Sequence, residues 1–405
     1  MKPGKPMSAF SCSMTLFVLV LSLLLAGRVS AATSERVLHT FGTEITGFPS
    51  STLVADAAGN LYGVTAGSVY ELSPIAGGGW RYQLLKILPG GRGDFAGGTL
   101  ALDAAGNLYG ATWQGGTNSC GFVYKVSPNS AAQWALTKLH DFTCTDGAAA
   151  SLGLIFDAKG NLYGGAHNGG SYSEGVAYEL SPGANGQWTY KVLHEFSNAE
   201  GNGPQTALIL DNKGNLLGGN ESGVFELTPS PDGTWTESTA FAFNDATGFN
   251  PLGDLIFDAA GNLYGTNQAG GQYGSGAAFM LSPNTTGGWA GTVIHSFNYR
   301  NTNDGFYPEG ALVFDSAGNL YGTTTGGGGS NNSGIVYELT PSTSGAWTES
   351  VVHRFGPIGS AGGTVPVNAL YLDQAGSLYG VTSSGGDHAC YTPSGGCGIV
   401  FKIVR

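Results

Sequence analysis

Three observations predict an all-β fold, a seven-bladed β-propeller with four-stranded blades that the N-terminal strand closes. An octapeptide, DAAGNLYG at 56–63, returns six more times with few changes. Two further strand motifs also occur seven times each. The order is permuted, because the chain begins with the motif that ends each unit and stops one strand short of completing its last unit. Self-similarity at this period points to propeller blades or a solenoid before any catalytic domain.

The octapeptide copies are 103–110, 157–164 (DAKGNLYG), 211–218 (DNKGNLLG), 258–265, 315–322 (DSAGNLYG) and 373–380 (DQAGSLYG), with intervals of 47, 54, 54, 47, 57 and 58 residues. An alternating apolar run precedes each Asp (LVAD, LALD, LIFD), and another follows the Gly-Asn. Asp-x-x-Gly-Asn is therefore a hairpin turn: Asp accepts from turn amides, Gly takes a positive φ, and Asn tolerates one. In the second strand the adjacent Leu and Tyr point to opposite faces. Both are bulky, so both faces are buried, as in a blade held between neighbouring blades.

The third strand is SVYEL, FVYKV, VAYEL, GVFEL, AAFML, IVYEL and IVFKI. The fourth is VLHTF at 37–41, then LTKLHDF, YKVLHEF, GTVIHSF and ESVVHRF, with looser copies at 82–88 and 237–243. With the strands named a (LxxD), b (NLYG), c (VYEL) and d (LHxF), the chain opens on d and ends on c. Docking 37–41 beside the last c strand gives blades at about 51–88, 98–142, 151–196, 205–243, 252–297, 310–355 and 368–403 plus 37–41. Closure removes open sheet edges, whereas an open solenoid would need capping units.

Residues 1–31 read as a secretory leader: Lys2 and Lys5, an apolar stretch at 16–26 too short for a comfortable span, then Val29-Ser30-Ala31. The rival is an uncleaved anchor. With Lys2, Lys5 and Arg28 removed, 13 basic residues face 28 acidic ones, and a net charge near −15 argues against nucleic acid and anionic membranes. Abundant Gly (69) with only 11% charged residues describes short strands joined by tight turns. Cys12 lies in the leader. The even set Cys120, Cys144, Cys390 and Cys397 favours disulfides, and four cysteines allow three pairings. The short spacing of Cys390 and Cys397 suggests a local staple, which leaves Cys120 with Cys144. Zinc is the rival reading, but paired histidines are lacking.

The pattern DGxxPxxxLxxDxxGNLYGTT, then GGxxxxGxVYEL, then WTxxxLHxF resembles the GloVer tandem repeat of secreted bacterial proteins. Its D-x-x-G-N-L-Y core is also similar to repeats of two-component-sensor and NHL-type propellers. The resemblance covers nearly all of 37–405 and implies a propeller with a nearest the axis; it implies no activity. Leu217 for the Tyr, Ser377 for the Asn and the short loop 219–223 depart from it. With a innermost, the b-c and d-a loops share one face, and Cys120 and Cys144 fall there on adjoining blades. That face also carries the variation in loop length, and variable loops on a rigid scaffold are where binding resides. The a-b face is nearly uniform and reads as structural.

Five histidines (His39, His140, His194, His295, His353) recur at one d-strand position, and a ring of identical positions reads as structure rather than one asymmetric catalytic constellation. The turn aspartates lack the alternating ligands of a calcium loop. Trp80, Trp134, Trp188, Trp235, Trp289 and Trp347 precede d strands and are assigned to packing. Asp94, Asp146, Glu200 and Asp304 in d-a loops form a candidate acidic arc for a cation, or else turn caps. Trp113, His167, Tyr273, His388 and Tyr391 in b-c loops, with Tyr307 in a d-a loop, are candidate ligand-binding residues that could stack on sugar rings or grip a peptide; the alternative is packing under their own loops. The Gly-rich run 326–329 lacks the Lys and helix of a phosphate loop.

The expectation is a secreted or periplasmic, non-catalytic monomer that binds a glycan or extracellular protein on this loop face, without cofactor or metal. The alternatives are an extracellular carbohydrate-active enzyme (lyase or glycoside hydrolase) and a structural envelope component. Two unrepeated acids, or an acid with His167 or His388, in a compact axial pocket would point to the enzyme; a flat aromatic face would point to the binder.

Overall fold

The computed structural model describes residue 1 and residues 33–42, 48–90, 96–129, 133–285, 287–357, 360–386 and 396–405. Apart from its first residue the expected leader lies outside them, as do Asp94, His388, Cys390 and Tyr391. Seven antiparallel sheets follow the order a-b-c-d. In blade 1 these are Val54–Ala55, Leu61–Thr65, Ser68–Ile75 and Gly79–Ile87. Blade 5 gains a strand, Phe249–Pro251, on its b strand, and a small pair, Gly305–Phe306 with Gly326–Gly327, caps the loop side of blade 6. Among the described residues the only helical segments are two single 3₁₀ turns.

The permuted ends meet as expected. Ser34–Thr40 pairs antiparallel with Ile399–Val404, which pairs with Leu378–Gly385, and that with Gly363–Leu372. The N-terminal strand is thus the d strand of blade 7. Phe41 continues the ladder, its N–H donating to the Gly398 carbonyl at 3.1 Å.

The octapeptide chemistry is visible atom by atom. In blade 1, Asp56 Oδ1 accepts from the N–H groups of Ala58 and Asn60, and Oδ2 accepts from Asn60 Nδ2 and Tyr62 Oη at 2.8 and 3.0 Å. Partial burial pushes the Asp56 carboxyl up, but these bonds outweigh it and hold the carboxyl below its ordinary range. Gly59 takes the left-handed φ of +83° that the turn needs. Gly63 is required for another reason: a Cβ there would lie 2.5 Å from the Tyr70 hydroxyl of the paired c strand.

Every five-residue b strand is buried throughout, whereas d strands alternate between half-buried and exposed residues. The core is correspondingly divided into seven apolar clusters, each shared by two adjacent blades. The cluster that joins blade 7 to blade 1 contains Phe41, Leu53, Tyr70, Tyr379 and Val400, so the closing strand is packed as well as hydrogen-bonded.

Candidate functional site

All seven blades send the segment before their a strand to the axis, where a cavity of about 170 Å³ opens. Thr52, Thr99, Gly153, Asp254, Ala311 and Ala369, four residues before the turn Asp in their respective blades, line it. The a strand is therefore innermost. Asp254 is the carboxylate of this ring. It accepts from the Ala207 N–H at 2.8 Å and faces Thr99 Oγ1 at 3.4 Å. Burial nevertheless pushes its carboxyl above the ordinary range, these two bonds opposing the rise.

Glu309 and Gln205 line the same cavity, six residues before their turn Asp, where other blades carry Ser50, Gly97, Ser151, Leu252 and Val367. Gln268 donates from Nε2 to Glu309 Oε1 at 2.6 Å and accepts at Oε1 from Asn250 Nδ2 at 2.6 Å. Burial raises the Glu309 carboxyl too, against the pull of the Gln268 bond. The axis thus holds two acids that the repeat does not prescribe, each with its pKa raised by burial.

Beside the cavity lies a second hollow of about 360 Å³, lined by Ala96, Gly97, Trp113, Gln114 and Ser151. Ser151 lines both, so the two adjoin on the loop face. Trp113 is exposed, and its ring lies 5.8 Å from that of His167, whose Nδ1 is 3.2 Å from the Pro204 carbonyl. The Cys120–Cys144 disulfide, with Cα atoms 5.4 Å apart, ties the Trp113 loop to the following d-a loop. Cys397 is buried near the closing strand.

The other candidates are placed elsewhere. Tyr273 is exposed in a wide depression of about 800 Å³ that includes His295 and Asp304. Tyr307 is exposed with φ of 57°, a strained conformation for an aromatic residue, two positions before Glu309. The described arc acids each face a d-strand histidine: His140 Nε2–Asp146 at 3.0 Å, His194 Nε2–Glu200 at 3.3 Å and His295 Nε2–Asp304 at 3.4 Å. They also cap turns. Asp146 accepts from the Thr143 N–H, Glu200 from Ser197, and Asp304 from the Asn298 and Gly305 N–H groups. Among the described residues no group of three or more His, Cys, Asp or Glu side chains could hold a metal ion.

The Gloeobacter/Verrucomicrobia repeat matches residues 65–224 and 218–393. The chain belongs to this family. No curated protein matches it. A streptogramin B lyase structure superposes with a TM-score of 0.57 at 12% identity, over 93% of this chain and 99% of the lyase. Virginiamycin B lyase from Staphylococcus aureus gives 0.56 at 11% identity, over 92% and 99%. The extracellular domain of a hybrid two-component system from B. thetaiotaomicron gives 0.56 at 16% identity, over 93% of this chain and 43% of that one. At these identities the likeness is one of fold.

In this Gloeobacter/Verrucomicrobia repeat protein, sequence reasoning that followed the motif passed over Asp254, Glu309 and Gln205. The signal that finds them is subtraction. Once the units are aligned on the turn Asp, Asp254 stands where its siblings carry Thr, Gly or Ala, and Glu309 and Gln205 stand where theirs carry Ser, Gly, Leu or Val; such single departures cannot serve the repeat.

Proposed function

We propose that this protein is an exported propeller that binds a neutral, hydroxyl-rich ligand of the glycan class at its axial mouth. One observation carries the reading: the axial cavity, where the repeat is broken by Asp254, Glu309 and Gln205, shares Ser151 with the hollow lined by Trp113. The Asp254 and Glu309 carboxyls and the Gln205 amide together offer acceptors and a donor for sugar hydroxyls. An exposed indole supplies a stacking face, and His167 supports it. The disulfide restrains this loop, so less ordering is left to be done on binding. The disulfide, the fold shared with extracellular sensor domains, and the lack of a membrane-crossing helix among the described residues agree with a secreted or periplasmic location.

A glycan array probed with the protein, Trp113→Ala and Asp254→Asn tests this. Loss of one stacking ring should weaken binding by about 1–3 kcal/mol, roughly five- to 150-fold. Binding unchanged in both variants would remove the site.

The paired acids also support a second reading, a carbohydrate-active enzyme in which Asp254 or Glu309 is the general acid. Mass spectrometry of the bound glycans separates the two. Intact glycans leave the binder, and cleaved glycans that survive intact with Asp254→Asn identify the enzyme.

A further inference from the structure

On the a-b face the octapeptide Tyr is present in every blade but one, and that exception has a physical consequence. In six blades the octapeptide Tyr donates its hydroxyl to the turn Asp of its own unit, at 3.0–3.3 Å. At five blade interfaces the same ring meets, edge to face, the Trp that opens the d strand of the next blade. The pairs are Tyr62–Trp134, Tyr109–Trp188, Tyr163–Trp235, Tyr264–Trp347 and Tyr379–Trp80, with centroids 5.9–6.4 Å apart. The tyrosine is thus a plug between blades, held by a carboxylate at one end and an indole at its side.

Blade 4 carries Leu217 instead. Leu217 is fully buried and has no hydroxyl to offer Asp211. Asp211 keeps its bonds from the Lys213 and Asn215 N–H groups and from Asn215 Nδ2, but lacks the phenol bond. Trp289 of blade 5 has no tyrosine to meet and lies tilted over Phe257 of its own blade, 6.3 Å away. Between Asp211 and Trp289 is a cavity of about 510 Å³, lined also by Lys213, Phe257, Asp258 and Pro283. That is within the range of small-molecule sites. Lys213 is exposed and forms no ion pair among the described residues.

We propose that this cavity between blades 4 and 5 binds a phenol-bearing ligand, whose ring occupies the place a tyrosine fills in the sibling units. Its hydroxyl bonds to Asp211 Oδ2, its ring meets Trp289, and Lys213 pairs with an acidic substituent when the ligand carries one. The six siblings show the geometry such a ligand would adopt. The site lies on the face opposite the axial mouth and does not depend on the function proposed for it.

Calorimetric titration of the purified protein with 4-hydroxyphenylacetate, phenylacetate and N-acetyl-tyrosinamide tests this. The first should bind saturably, and removal of the hydroxyl should weaken binding about tenfold. The amide distinguishes sources: tighter binding of the acid indicates free phenolic acids, and tighter binding of the amide indicates tyrosine residues of a peptide. Leu217→Tyr should abolish binding of both and melt at or above wild type, because it restores the sibling plug. Lys213→Glu, an exposed change, should weaken the acid about fivefold should Leu217→Tyr fail to fold. No saturable binding of either phenol, equal binding of phenylacetate, or undiminished binding by Leu217→Tyr would overturn the proposal.

Discussion

Phe41→Ala tests ring closure most directly. Phe41 is 1% exposed and projects from the end of the closing strand into blade 1, where its ring meets Tyr70 at 5.3 Å and Tyr82 at 6.0 Å. Truncating a buried Phe costs about 3–5 kcal/mol. With an unfolding entropy of about 2.1 cal/mol/K per residue, that lowers the melting temperature of a chain this long by about 4–6 °C. Phe297→Ala is the matched control. Phe297 is equally buried, meets Tyr337 of the next blade at 5.0 Å, and donates from its N–H to Gly276 just as Phe41 does to Gly398. Its strand, however, is covalently continuous with the rest of its blade. The two variants should therefore melt alike in calorimetry but differ in limited proteolysis: Phe41→Ala should lose 34–42 to protease under native conditions, and Phe297→Ala should not. Deleting 34–42 should lower the melting temperature further by exposing the Ile399–Val404 edge. If Phe41→Ala melts within about 1 °C of wild type while the control shifts as expected, the closing strand does not hold the ring.

The closing strand also confers pH sensitivity. Burial against Tyr82, whose ring stacks at 4.1 Å, holds His39 near a pKa of about 4, below its ordinary 6.5. The unfolded chain takes up a proton through about pH 6.5 and the folded one only near 4, so stability present above the unfolded value is lost as pH falls across that window. Discounted for the solvent that still reaches the ring, the loss is about 1–2 kcal/mol. Glu349, raised to about 7 by burial and by Asp304, acts in the opposite sense, since its contribution is lost as pH rises. The difference between melts of wild type and His39→Phe at pH 7 and 4.5 isolates the histidine, and parallel curves would refute its role. Removing the disulfide by Cys120→Ser with Cys144→Ser frees a loop 24 residues in span and should cost about 3 kcal/mol, read in a melt. The same change should weaken any ligand that stacks on Trp113.

Most of the architecture was legible because a repeat states its physics seven times. Asp, Gly and Asn at the turn, Leu and Tyr on opposite faces, and the permuted d strand each had a single consistent reading, and the sheet order agrees with it. The site was less legible for the same reason. Trp113 and His167 stood out as loop aromatics and do come together. Asp254 and Glu309 sat inside an apolar-looking run, where a lone acid has no motif to announce it. The acids Asp146, Glu200 and Asp304 read either as an arc near the mouth or as turn caps, and each does cap a turn. What the sequence did not announce is that each also faces the d-strand histidine of its own blade, six to nine residues away in the chain.

The amino-acid sequence alone determined the number of blades, the strand order within each and the closure of the ring, since these follow from local turn chemistry and two-residue periodicity repeated without contradiction. Tertiary structure decided what sits at the axis and what is missing between blades 4 and 5. Both depend on seven segments, 47 to 58 residues apart, meeting at one point or along one seam. A departure from the repeat becomes a cavity or a buried acid only when its neighbours from other blades are in place around it.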